Sequence, residues 1–413
     1  MSLDVRGGKR RAPGSASSLV SADVRAHNLG IVARYLAENG PSSRSQIAEG
    51  SGLTRGAVTV LASSLIEAAV VREAQPKYKA GKGRPIVPLE LASDDVALLV
   101  LQLDADKATA LLSSVAGDVL LRIAEPHGRP MGRPELILDV LAATLDRALE
   151  ASREMGRRVA ELTIVAFAPV GGDPVQVIAD TDLGWGHVDV IGGLRARVQG
   201  FPEAVRLVGD VHVAAVAEQG FNPGIKDLCY VKSNSGIGGA LIVDGKLVRG
   251  GFGLAGALGH LPVRPGGIVC ECGQIGCLVT VAGPDAVLIA AGMGEELHRD
   301  GLTSALAEFS RRVLVGEPAA TAVWDEARVW IARSLQLVAV TLDPQLIVLG
   351  GYWSLLSESI GQSFAEQRKG FFATGAGSAV RVVPGRLGDD AALLGALWQA
   401  RDRYFSGPLE IKT

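Results

Sequence analysis

The segment "GHLPVRPGGIVCECGQIGCLVTVAG", residues 259–283, holds three of the four cysteines of a 413-residue chain within eight positions, and a histidine stands ten residues before the first. Cys270 and Cys272, one residue apart, cannot readily close a disulfide on each other. Thiolates at Cys270, Cys272 and Cys277 with the imidazole of His260 form a Cys₃His donor set, a recurring closed tetrahedral zinc site. Glycines 266, 267, 273 and 276 let the backbone wrap tightly around an ion. This spacing predicts one structural zinc per chain; the alternative is a group of reduced thiols in a loop, with His260 merely packed nearby. Cys229, alone in an apolar run, reads as an inert core residue.

Four cysteines in a chain of this length are too few for a disulfide framework, and clustered thiols suit a reducing compartment. The first twenty residues, "MSLDVRGGKRRAPGSASSLV", lack the apolar core of a signal peptide, and no apolar run reaches the length of a membrane span. The chain is therefore expected in the cytoplasm, with no membrane partner. Net charge is −3, unevenly spread: residues 1–90 carry 13 Lys/Arg against 7 Asp/Glu, and the remainder is acidic. A basic module joined to an acidic body points to a polyanionic partner for the module. Residues 1–22 read as a basic Gly/Ser/Ala-rich arm without fixed structure.

From residue 23 the pattern becomes helical. "ADVRAHNLGIVARYLAENG" puts Val24, Leu29, Ile31, Val32, Tyr35 and Leu36 on one side and stops at Asn39-Gly40. After Pro41, Ser42 or Ser43 caps a short helix, Gly52 supplies a turn, and Thr54 caps a longer helix with Val58, Leu61, Leu65 and Ile66 on its apolar face. This is the helix-turn-helix plan. "VVREAQPKYKAGKGRPIVPLEL" follows as two short strands around a basic glycine turn, with Lys77, Lys79, Lys82 and Arg84 near the tip, which reads as a wing whose Gly-Arg-Pro suits a narrow minor groove. Residues 23–91 are thus expected to bind double-stranded DNA. Thr54, Arg55 and Thr59 are nominated for base edges, and Arg44, Ser45 and Gln46 for phosphates. Arg55 as a phosphate clamp stays open, as does a plain docking domain with a solvated basic hairpin.

Beyond residue 91 the chain reads as α/β. Three consecutive strands, a long helix over about 135–155 and the strand "VAELTIVAFAPV" are followed by a restart near Leu228 with "LCYVKS", "GALIVDG" and "KLVRG", and later by "LIVLGG" and "VRVVPG". Two β-rich beginnings, each followed by helices, predict a duplicated α/β core with a cleft between its halves.

The body, taken as 92–413, resembles the ROK family (repressors, open reading frames, kinases), and the whole chain is similar to its winged-helix regulators. The resemblance rests on "SGIGGALIVDGKL" (235–247), "GLAGALGH" (253–260), "CECGQIGC" (270–277), "LIVLGG" (346–351) and "DDAALLGA" (389–396), with "GLTRGAVTVLASSLIEAAVV" and "GKGRP" in the basic module. It implies a two-lobed actin/hexokinase-like (ribonuclease H-like) body, a structural zinc within 260–277, and transcriptional control by a carbohydrate-related signal.

Departures from the family pattern narrow the function. The Asp-x-Gly-x-Thr phosphate loop of the kinases appears as "DADKA" (104–108), where Asp106 replaces the glycine that lets a phosphate approach, so no ATP is expected. The sugar-binding Glu-Asn-Asp becomes "VGD" (208–210), and two glutamates of the pattern become Ala257 and Val279. Asp210, at the position of the kinase general base, His212 and His260 remain as polar anchors, and Trp185 offers a stacking surface. Asp210 as a cap for the helix starting at Val211 is the equal alternative. These losses predict a less polar, somewhat larger cleft that does not take a plain hexose.

The favoured reading is a non-enzymatic repressor of carbohydrate-related genes, bound to an inverted-repeat operator as a homodimer or homotetramer and controlled by a small-molecule effector in the cleft. A sugar kinase with a DNA-binding appendage, or a regulator answering to a protein partner, are the alternatives.

Overall fold

The computed structural model describes residues 21–76, 87–92, 94–180, 182–368 and 380–406. The chain divides into two compact units, Met1–Ala92 with Tyr404–Thr413, and Ser93–Arg403. The expected division into 23–91 and 92–413 therefore needs a correction at the C-terminus. Phe405 is buried, and its carbonyl approaches α1 (Ser21–Asn39) so closely that a Cβ on Gly30 would lie 2.2 Å from the oxygen. The expected arm ends earlier than residue 22, because α1 already includes Ser21; residues 1–20 lie outside the described residues.

In the first unit α1 is followed by α2 (Arg44–Ser51) and α3 (Arg55–Glu67). Ser43 rather than Ser42 caps α2, in a reciprocal box: its Oγ accepts from the Gln46 amide, and its own amide donates to Gln46 Oε1 at 3.0 Å. Gly52 ends α2 in the left-handed region, φ 73°, and Thr54 caps α3 by accepting from the Ala57 amide. Leu29, Val32, Leu36, Ile47, Val58, Leu61 and Leu65 form the buried centre. The strands β1 (Val71–Glu73) and β2 (Leu89–Leu91) pair antiparallel, and Ser42 bridges to Leu89. The base of a wing is therefore present. Its tip, with Lys77, Lys79, Lys82 and Arg84, lies outside the described residues.

The second unit begins with β3 (Val96–Leu103), β4 (Lys107–Ser114), β5 (Val119–Pro126), α4 (Pro134–Glu154) and β6 (Arg158–Ala166). A ribbon of β7 (Val170–Gly171) and β8 (Gln176–Val177), α5 (Val190–Arg195), β9 (Val205–Gly209) and α6 (Asp210–Gly220) complete the first half. The second half restarts with β10 (Leu228–Ser233), β11 (Ile237–Val243) and β12 (Lys246–Val248). Helices α7 (Val279–Ala282), α8 (Pro284–Ala290), α9 (Gly294–Asp300), α10 (Leu302–Leu314) and α11 (Pro318–Leu342) follow, then β13 (Leu346–Gly351), α12 (Ser357–Gln367), β14 (Arg381–Pro384) and α13 (Ala391–Ser406).

The halves share one topology. The sheet orders are β5-β4-β3-β6-β9 and β12-β11-β10-β13-β14. In each, the first three strands form an antiparallel meander and the last two add in parallel beside the first strand. The central strand β3 reads as a largely apolar run because both faces are covered: every one of its residues is buried, whereas β5 at the sheet edge alternates. The expected duplicated α/β, actin-like architecture is what forms. Ligands of such sheets settle beyond the carboxyl ends of the parallel strands. No helix among the described residues is long and apolar enough to cross a membrane.

Candidate functional site

The Cys₃His set converges. The ligand atoms of His260, Cys270, Cys272 and Cys277 all lie within 4.8 Å of one another. Cys270 Sγ is 3.6 Å from His260 Nδ1, and Cys272 Sγ is 3.6 Å from Cys277 Sγ. Tetrahedral arms of about 2.0–2.3 Å give ligand–ligand edges of roughly 3.4–3.8 Å, so the donors fit a zinc ion with little adjustment. Local folding explains the approach: Val269 bridges to Ile275, the Cys270 amide donates to Gln274 O at 2.7 Å, and Gly276 at φ 73° passes so near Arg264 that a Cβ would sit 1.8 Å from its carbonyl oxygen. Cys229 is fully buried in β10 and burial pushes its thiol up to about 12, the state of an inert core thiol.

Beside this loop lies a cavity of about 640 Å³, walled by 167–169, 179, 180, 182, 184, 185 and 209–212 from the first half and by 232, 234–239, 253–257, 259, 260, 271, 272, 274 and 279 from the second. Asp210, His212, His260 and Trp185 all line it. His260 with Nδ1 turned to the cysteines leaves Nε2 as its remaining polar atom. Burial holds the His212 ring below its ordinary range, with Arg249 adding to the effect, so it is a neutral partner at pH 7.

Asp210 is the first residue of α6 and Gly209 its cap position; Asp210 Oδ1 accepts from the Val211 amide at 2.7 Å, and Oδ2 accepts from Lys232 Nζ at 2.8 Å. Burial alone would lower the Lys232 pKa, but Asp210 and Asp104 overcome it and hold the ammonium protonated. Trp185 is not an open stacking platform: it is 5% exposed and belongs to the first half's core, reaching the cleft from within the wall. Asp106 has a use of its own. Its carboxylate accepts from the Thr303 amide at 3.2 Å and from Thr303 Oγ1, supplying α10 with the cap that Gly301 cannot.

Polar groups also enter the cleft from positions that the sequence reading did not single out. Asp180 and Asp182 line it, as do Lys232, Asn234 and Gln274. Burial, reinforced by Asp182, pushes Asp180 up to about 7; burial pushes Asp182 up to about 6 against the opposing pull of Arg129. One signal was available for Lys232, a charged residue inside the buried strand run "LCYVKS". Asp180 and Asp182 sit in a turn, "ADTDLGW", where acids are unremarkable.

In the first unit Arg55, Gly56, Thr59, Val60 and Ser63 share one exposed face of α3, with Val60 63% exposed. Thr54 and Gln46 are engaged in caps, Arg44 pairs with Glu73 at 3.1 Å, and Ser45 is exposed. Val60 was not singled out from sequence, since an apolar residue in an amphipathic helix reads as core. Lys82 and Arg84 lie outside the described residues.

Comparison with known proteins agrees with this architecture. The profile of the ROK family matches residues 104–403. The N-acetylglucosamine repressor of Escherichia coli is 26% identical over 354 residues, covering 82% of this chain and 84% of that protein. The N-acetylmannosamine kinase of Salmonella arizonae is 35% identical over 193 residues, 46% of this chain and 62% of the kinase. The crystal structure of a ROK family transcriptional regulator, a homologue of the E. coli MLC protein, superposes with a TM-score of 0.68 at 22% identity, covering 94% of this chain and 98% of that one. With a family profile matched over well more than half of its length, on a body of two repeated five-stranded sheets, the chain belongs to the ROK family.

Proposed function

We propose that this protein is a sugar-responsive transcriptional repressor that binds an inverted-repeat DNA operator as a homodimer or homotetramer. The observation that carries the reading is the winged helix-turn-helix unit, whose α3 presents Arg55, Thr59 and Val60 on an exposed face, in one chain with a ROK body. Similarity to the N-acetylglucosamine repressor supports it over most of the chain. Arg44, Ser45 and Gln46, with Lys82 and Arg84 of the wing, are the proposed phosphate and minor-groove contacts, and Thr54 joins Arg55 and Thr59 at the base edges.

In this reading the cleft is the effector site, with Asp210, His212, His260 and Trp185 in its wall. An effector that binds one arrangement of the two halves more tightly than another shifts the protein away from its DNA-binding state. One zinc per chain, on His260, Cys270, Cys272 and Cys277, braces the wall; four protein ligands leave no position for a reacting water. Similarity to a kinase over part of the body raises the second reading, a sugar kinase. Two features favour the regulator: the Asp106 carboxylate, bonded to Thr303, occupies the N-terminus of α10, and Asp210 Oδ2 is already committed to Lys232 Nζ at 2.8 Å. Electrophoretic mobility shift with upstream DNA of the gene's own operon, titrated with sugars and sugar phosphates, tests the proposal. Sugar-dependent ADP release from ATP, with no DNA retained, would replace it by the kinase.

A further inference from the structure

The cleft holds more negative charge than its own cations neutralise. Among the described residues of its wall Lys232 is the one ammonium, and it is committed to Asp210 at 2.8 Å. Arg129, whose charge reaches Asp182, gives two N–H groups to Asp285 at 3.1 and 3.0 Å. His212 is held neutral by burial. Asp180 and Asp182 are left without a dedicated counter-ion.

Their geometry is that of a built subsite. Asp180 is 6% exposed; its Oδ1 accepts from the amides of Asp182 at 2.8 Å and Leu183, whereas its Oδ2 is buried without a protein partner. Asp182, half-buried, faces the glycine loop after β10 so closely that a Cβ on Gly236 would lie 2.4 Å from its Oδ2. The indole N–H of Trp185 in the same wall also lacks a protein partner, leaving a donor for a ligand oxygen. Asp182 adds to the cost of ionising the buried Asp180, a cost that an arriving cation would offset.

We propose that the effector of this cleft is a sugar carrying a free ammonium group, seated against Asp182 with Asp180 adding charge behind it. This rests on the reading of the cleft as the effector site. An ammonium brings three donors and the missing charge. A neutral hexose brings donors without the charge, and a sugar phosphate meets two carboxylates that have no counter-ion of their own.

Calorimetry on the full zinc-loaded chain at pH 7.5 and low salt, with D-glucosamine, D-galactosamine and D-mannosamine, tests this. Each is compared with its parent hexose, its N-acetyl derivative and its 6-phosphate. At least one amine is expected to bind about tenfold or more tighter than its three counterparts, an increment set by one charge-assisted contact. Asp182→Asn should bring that preference to within about twofold. Asp180→Asn, which keeps the oxygen that accepts from the Asp182 and Leu183 amides, should weaken it by a smaller factor. Equal binding of amine and hexose, tighter binding of the N-acetyl sugar or the phosphate, or no binding of any amine overturns the proposal. A hexose, N-acetyl sugar or phosphate that binds best and releases operator DNA would do so while leaving the regulatory reading standing. Operator DNA unaffected by every sugar, with none bound, would count against both.

Discussion

Lys232 Nζ lies 2.8 Å from Asp210 Oδ2, with both side chains less than one-tenth exposed, so the end of strand β10 and the first turn of α6 are joined by a buried ion pair. Removing one partner strands the other charge in the protein interior. Lys232→Met is expected to destabilise the body by about 3–5 kcal/mol, and Lys232→Met with Asp210→Leu to recover part of that loss. Urea denaturation of the three proteins checks it; a single variant as stable as wild type would mean that the pair is solvated.

Asp180 and Asp182 predict an unusual pH dependence. Their folded values, about 7 and about 6, lie above the unfolded carboxyl value of about 3.9, so the folded chain holds these protons more tightly. Their stabilising contribution is complete below about pH 4 and is lost as pH rises through 6 and 7. Between pH 5 and 8 the ligand-free protein should therefore lose a stability increment, on the order of a few kcal/mol, of which Asp180→Asn keeps only the smaller Asp182 share. Thermal midpoints of the two proteins across that range decide it: parallel curves would contradict the burial argument.

The metal cluster predicts one zinc per chain by elemental analysis, and a lower melting temperature after chelation. Cys272→Ser keeps the size of the side chain but loses a soft ligand, and should reduce both zinc content and stability. Purified protein without metal, with its three clustered thiols freely titratable while folded, would leave the loop as an ordinary turn.

The exposed face of α3 predicts the DNA contacts. Arg55→Ala should weaken operator binding by about 1–3 kcal/mol and relax specificity at one base pair, whereas Arg84→Ala should weaken binding and flatten its salt dependence. Val60→Ser, at a position 63% exposed, should lose a contact suited to a thymine methyl group. Circular dichroism of each variant separates lost contacts from lost folding. Unchanged affinity in Arg55→Ala would move the recognition surface elsewhere.

The sequence by itself determined whatever depends on neighbours along the chain. The caps at Ser43 and Thr54, the turn at Gly52, the largely apolar run of β3 and the spacing of Cys270, Cys272 and Cys277 are local, and each acts within a few residues. The repeated β-rich beginning was legible for the same reason, since two similar strings form similar sheets. Tertiary structure decided which charges meet. Lys232 and Asp210 are 22 residues apart, Arg129 and Asp285 are 156, and Asp106 and Thr303 are 197. Nothing in a one-dimensional string ranks such pairings, because their energy depends on burial and distance, and both are set only when the two halves close on each other. Reasoning from motif residues therefore left Asp210, His212 and His260 as the polar anchors, while the fold added Asp180 and Asp182 from a turn and Lys232 from a strand.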